Sequence, residues 1–269
     1  MTGNDLERYT LARRVLLDAL DALEEQRAAL ILVGAQAIYL HTGAMQLAVA
    51  AATFDADLAI DPTLLKSVPA LADALQRAGF FPRDQPGIWE NSRNGIEVDL
   101  LVPASIAGAG RRGADLGDIH GKRAARKAHG LEAALVDHAP MIIAALDEAD
   151  NRRIEIRVAG LAALLVTKLH KVAERRDDPR RQKPKDALDI YRILASSSPN
   201  SLAQHLALLR QDGRSAGVTE QALRYLREMF GTGSASGSQL AGVAVVPLED
   251  PDTIAESVSA LAQDLFALL

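Results

Sequence analysis

The sequence predicts an α+β fold, with strands and helices intermixed up to about residue 158 and an almost wholly helical region from 159 to 269. Period-two alternation of apolar and polar residues marks residues 53–60 and 96–102, with a further short run at Ile154, Ile156 and Val158. Beyond Gly160 the apolar spacing becomes that of helices, which sets a boundary near 155–160. With 48% hydrophobic residues in 269, the chain can bury a core without covalent staples.

Leu6, Tyr9, Val15, Leu16, Leu20 and Leu23 recur at helical spacing, so an amphipathic helix is expected to run to about residue 27, capped by Asn4 or Asp5. The apolar run 29–33 ends at Gly34 and is followed by helix formers over 35–41 and then Gly43, a strand, tight turn and helix. In 53–60, Phe54, Ala56, Leu58 and Ile60 face one way and Thr53, Asp55, Asp57 and Ala59 the other, a strand with one charged face. A helix is expected over 63–78 with Gly79 as its stop. In 96–102, Glu97 and Asp99 alternate with Ile96, Val98 and Leu100. A strand at 154–158 precedes helices at 161–175, 185–195, 201–209, 219–230 and 254–269, with loops at 196–199 and 231–238, the latter expected to be mobile. No internal repeat is found.

There is no cysteine, so disulfides and Cys-ligated zinc are excluded, and a cytoplasmic location is expected. The polar start of the chain and the absence of an apolar stretch of spanning length predict no membrane segment. His120, His129, His138 and His170 lack metal-ligand spacing and read as surface or packing residues.

Two acids at i and i+2 on a strand share a face and repel unless a cation lies between them, so Asp55 and Asp57 suit Mg²⁺ (or Mn²⁺), which takes one or two carboxylates plus phosphates and water. Asp99 on a second strand is expected to hold a further metal or act as a general base. The Gly34-Ala35 turn opens a helix whose free N–H groups favour phosphate, and metal plus phosphate cradle implies NTP chemistry. The competing reading of Asp55-Ala56-Asp57 is the solvated face of an edge strand. Thr53 shares the acid face, where it reads as a β-former before a functional hydroxyl.

These residues resemble the nucleotidyltransferase superfamily: a Gly-Ser or Gly-Gly turn, Asp-x-Asp or Asp-x-Glu on the next strand, and a third acid on another. More closely, the chain is similar to the AbiEii/AbiGii-type toxins and the related tRNA-modifying nucleotidyltransferase toxins. Their Gly-Gly-Thr-Ala-Leu and Ser-Glu-Asp-Ile-Asp-Leu become Gly34-Ala35-Gln36-Ala37-Ile38 and Thr53-Phe54-Asp55-Ala56-Asp57-Leu58. Their Leu-x-x-x-Lys-Leu and Lys-x-x-Asp elements fall at Leu164 to Leu169 and Lys183 to Asp186.

The resemblance implies a mixed sheet with flanking helices in a nucleotidyltransferase-like domain, 1–158, and a helical domain, 159–269, contributing Lys168 and Asp186 to the site. It implies catalytic roles for Asp55, Asp57, Asp99, Lys168 and Asp186, and nucleotide contacts from Gly34, Ala35, Thr53 and Lys168. Ala35 replaces the usual Ser or Gly, removing a hydroxyl but keeping the backbone N–H. By itself, Lys168 in an apolar helix is costly unless it meets a triphosphate or Asp186, or snorkels to water. Asp186 and Asp189, at i and i+3, share a helix face, the second expected to orient Lys185 or serve packing.

The net charge of −5 argues against indiscriminate coating of nucleic acid, yet 111–129 carries six Lys or Arg against two acids and 168–185 carries eight against three. A polyanionic acceptor such as the tRNA 3′ end would be held by such segments, unless they are merely solvated faces. Trp89, Tyr39 and Tyr191 are the candidates for base stacking. The function expected is transfer of a nucleoside monophosphate from NTP to the tRNA 3′ end by the toxin of a toxin–antitoxin pair. The alternatives are a small hydroxylated acceptor such as an antibiotic, or a non-catalytic member that binds nucleotide or a protein partner.

Overall fold

A computed structural model describes residues 3–43 and 55–269; the Thr53 and Phe54 positions of the expected strand lie outside the described residues. In chain order the elements are α1 (Gly3–Ala22), a 3₁₀ segment (Glu24–Ala29), β1 (Leu30–Val33), α2 (Gly34–Thr42), β2 (Asp55–Ile60), a 3₁₀ turn (Pro62–Leu64), α3 (Leu71–Arg77), β3 (Phe80–Pro82), β4 (Ile88–Asn91), β5 (Glu97–Pro103), α4 (Gly117–His120), β6 (Arg126–Ala128), β7 (His138–Ala144) and β8 (Arg153–Ala159). The helices α5 (Leu161–Ala173), α6 (Pro184–Ser196), α7 (Pro199–Gln211), α8 (Ala216–Phe230), α9 (Ser236–Val243) and α10 (Pro251–Phe266) complete it. None of the described helices is long and apolar enough to cross a membrane. Two compact units emerge, one from Met1–Ala37, Ala51–Leu131 and His138–Ala159, the other from Ile38–Ala50, Glu132–Asp137 and Gly160–Leu269.

The first unit is built on a mixed sheet in the order β3-β4-β5-β2-β1-β8-β7, with β6 also paired to β5. β1 is buried along its whole length, as a run of Leu30, Ile31, Leu32 and Val33 requires of a strand covered on both faces. β2 lies between β1, antiparallel to it, and β5, parallel to it. It is therefore an interior strand, and the edge-strand reading of Asp55 and Asp57 is overturned. α1 packs on β2 and β5 through its apolar stripe, burying Val15, Leu16, Ala19 and Leu20. Arg152 ties the start of β8 to that helix, donating to Asp18 at 2.8 Å and Asp21 at 2.9 Å while Asp150 holds it from the neighbouring turn.

Local sequence explains where the expectations shift. The first helix gives way to 3₁₀ geometry at Glu24 because Gln26 is pulled inward: its amide donates to the carbonyls of Lys66 (2.9 Å) and Pro69 (2.8 Å). The helix expected over 63–78 begins only at Leu71, since Pro69 lacks the N–H that a continuous helix would use and Ala70 is extended. β3 and β7 were not legible in the sequence because each is an outer strand of the sheet carrying proline, Pro82 and Pro140, which breaks the alternation.

In the second unit α5 packs on α6 and α8, and α9 on α6 and α10. The carboxylate of Asp137 accepts from the backbone N–H of Ala163 at 3.1 Å, capping the uncapped start of α5 from a distant segment. The loop expected over 231–238 is shorter, with α9 starting at Ser236. Gly237 permits this: a Cβ there would lie 2.6 Å from the Phe230 ring, so the bare backbone closes onto the end of α8. Gly and Ser are poor helix formers, which is why the segment reads as loop.

Candidate active site

The first unit gathers Gly34, Ala35, Asp55, Asp57 and Asp99. Val33 pairs with Asp57 across β1 and β2, and Asp57 with Asp99 across β2 and β5. Neighbouring strands lie about 5 Å apart, and parallel partners point to the same face, so the two carboxyl groups sit side by side. Asp55 and Glu97 are partners in the same register, which adds a fourth acid to that face. Asp57 is 7% and Asp99 8% exposed, so the acids are largely withdrawn from the solvent that would screen them.

Gly34 completes the geometry. Its φ of +70° is left-handed, and a Cβ built there would lie 2.0 Å from Oδ2 of Asp57. Only glycine lets the turn between β1 and α2 close over that carboxylate. Ala35 is buried in the first turn of α2, where its backbone remains while its side chain contributes packing alone. Among the described residues no three His, Cys, Asp or Glu side chains form a protein-only metal cage. The arrangement of Asp55, Asp57 and the glycine cradle nonetheless suits a hard cation completed by phosphate and water, which needs only one or two protein carboxylates.

Two residues escaped the sequence reading. Arg126, at the start of β6, donates through Nη2 to Oδ2 of Asp99. It reaches that carboxylate because it pairs with Leu101, two residues on from Asp99 on the same face of β5. In the sequence it was one arginine of a basic run. Gln36, 1% exposed, accepts from Nε of Arg13 at 3.0 Å and donates to the carbonyl of Asp55 at 3.2 Å, so the first turn of α2 is fastened to the strand that carries the acids. Its signal was weak, a polar residue in an apolar helical run.

Lys168 and Asp186 lie in the second unit, where they meet each other. Nζ of Lys168 is 2.7 Å from Oδ1 of Asp186 and 2.7 Å from Oδ2 of Asp189. Asp189 thus pairs with Lys168, where Lys185 or packing was expected. Nη1 of Arg175 lies 2.6 Å from the other Asp186 oxygen. Burial by itself would lower the Lys168 pKa, but the charges of Asp189 and Asp186 outweigh it and hold the ammonium well above its ordinary value. Burial likewise opposes the Asp186 charge, and Lys168, Lys171 and Arg175 override it, leaving the carboxyl well below the usual carboxylate range.

Two stacking candidates are corrected. Trp89 is 2% exposed and donates Nε1–H to the Ala124 carbonyl, and Tyr39 is buried with the Arg192 guanidinium over its ring, so neither offers a face to a base. Of the histidines, His120 is buried between the Leu71 N–H and the Lys66 carbonyl, and His170 is bonded to the Val218 carbonyl. The basic stretch 111–129 is partly committed within the fold: Arg123 to the carbonyls of Arg83 and Asp84, Lys127 to that of Gly108, Lys122 to Asp115.

No curated protein and no solved structure matches the chain. A family model described as nucleotidyltransferase matches residues 13–209, a stretch that contains Gly34, the three strand aspartates, Lys168 and Asp186. The chain belongs to this nucleotidyltransferase family and is an enzyme that transfers a nucleotidyl group from a nucleoside triphosphate.

Proposed function

We propose that the enzyme uses Mg²⁺·NTP to modify an RNA acceptor, the tRNA 3′ end, as the toxin of a toxin–antitoxin pair of the AbiEii/AbiGii type acting in the cytoplasm. The observation that carries the catalytic part is the closure of Gly34 over Asp57, beside Asp55 and Asp99 on one sheet face. Nucleotidyltransferases generally use a divalent metal with NTP, and that ion would be held here by Asp55 and Asp57, supplying charge neutralisation at the phosphates. The turn at Gly34 and Ala35 offers backbone N–H groups to the triphosphate. The acceptor hydroxyl oxygen bonds to the α-phosphorus, the bond to the bridging oxygen breaks, and pyrophosphate departs with the electron pair. Asp99 would take the hydroxyl proton or serve as a further metal ligand, and Arg126 holds its carboxylate.

The toxin and tRNA assignments rest on the resemblance of the four ordered sequence elements and on the basic residues of 168–185. Lys168 and Asp186 enter the catalytic reading through that resemblance; within their own unit they form a buried ion cluster. A second reading, a small hydroxylated acceptor, is favoured by the internal engagement of Arg123, Arg126 and Lys127. Incubating the protein with labelled NTPs, Mg²⁺ and either total RNA or aminoglycoside-type alcohols separates them. Label in RNA supports the first, label only in the small molecule the second, and label in neither opposes both.

A further inference from the structure

We propose that the second unit carries a phosphate-binding pocket, formed where the end of α5, the start of α6 and the start of α9 meet. The pocket has a cavity volume of about 60 Å³ and is lined by Arg175, Arg176, Lys183 and Asp186 together with Ser236 and Gly237. Three cations therefore face one carboxylate, and that carboxylate is already engaged by Lys168, which is not part of the lining. Arg175 is fixed by its 2.6 Å contact with Asp186 and so presents its guanidinium in one orientation. The Arg176 guanidinium lies 3.6 Å from Asp177 and 3.4 Å from Glu228, exposed pairs that an entering anion can displace.

The opposite wall is the first turn of α9. Its N-cap, Ala235, supplies no side-chain hydrogen bond to the N–H groups of that turn. Gly237, held bare by the Phe230 ring, puts only backbone on the pocket wall. Arginine forks, a lysine point charge and a helix N-terminus together match a tetrahedral phosphate better than a planar carboxylate or a neutral ligand.

The source we assign is a phosphodiester of the acceptor RNA, an assignment that rests on the acceptor proposed above; a free phosphorylated small molecule shares the chemistry. The test is calorimetric titration of the full chain, with chelator and without NTP, using inorganic phosphate and a short unstructured RNA lacking terminal phosphates. Arg176→Gln/Lys183→Gln is compared with Arg210→Gln/Arg214→Gln, which removes the same charge elsewhere in the unit, both checked by far-ultraviolet dichroism. Saturable phosphate binding, weakened about ten-fold in the first pair and unchanged in the second, is expected. RNA affinity falling in parallel assigns the site to the backbone, and RNA affinity unchanged assigns it to a free phosphorylated molecule. No saturable phosphate binding by the wild type, or equal losses in both pairs, overturns the pocket. Because neither metal nor NTP is present, an Asp57→Ala chain that transfers nothing should still bind phosphate, so the two proposals fail separately.

Discussion

At the scale of single residues, the acid face is controlled by what stands beside each carboxylate. Gly34→Ala puts a methyl group onto Asp57 and forces an L residue into φ of +70°, so we expect about 1–3 kcal/mol of destabilisation in urea unfolding and loss of nucleotide transfer. Arg126→Met removes the cation at Asp99, so Mn²⁺ titrated into the variant should bind several-fold more tightly, while the metal-free protein melts lower. Lys168→Met takes the ammonium from buried Asp189 and leaves Asp186 to Arg175, and should cost about 3–5 kcal/mol. The Asp186 contribution, from a depressed pKa, is present above the ordinary carboxylate value and is lost as pH falls. The Lys168 contribution, from a raised pKa, is present below the ordinary lysine value and is lost as pH rises through the folded value. The stability gap between wild type and Lys168→Met should thus be flat from about pH 5 to 9 and shrink below about pH 4. Asp55, Asp57 and Asp99 were legible because alternation reports the face of a strand. Arg126 was not, because strand pairing sets what an arginine of a basic run reaches.

At the scale of elements, β2 and α2 form one device: the strand supplies the acids and the helix start supplies the backbone above them. Gln36 fastens the two, and its loss in Gln36→Ala leaves the Arg13 guanidinium and the Asp55 carbonyl without it. A cost of about 1–3 kcal/mol is expected in denaturant unfolding, with KM for NTP rising more than kcat falls, since the turn loosens while the acids remain. β1, β2, β5 and β8 could be read from residue patterns because interior strands must be apolar on at least one face. The outer strands β3 and β7 and the Gly/Ser-rich start of α9 could not, since proline or missing side chains erase the pattern and tertiary packing decides. α3 shortened for a reason that was present in the sequence at Pro69.

At the scale of the whole chain, a net charge of −5 coexists with basic segments that the fold uses unevenly. In 111–129 several cations are spent on carbonyls and carboxylates, whereas Arg176, Arg180 and Lys183 stay exposed, so RNA binding should depend chiefly on the latter stretch. A plot of RNA affinity against salt should lose slope in Arg176→Gln/Lys183→Gln and keep it in Arg111→Gln/Arg112→Gln. The single tryptophan, Trp89, is buried in the first unit, so its fluorescence follows the unit that carries the acid face and should shift its melting midpoint upward with NTP and Mg²⁺. The most direct measurement is incorporation of label from α-labelled NTPs into RNA by wild type and by Asp57→Asn, with folding of both verified by that fluorescence transition. Incorporation by the wild type that falls at least about 100-fold in the variant is expected, and equal incorporation by the two would contradict the assignment of the acid face as the catalytic centre.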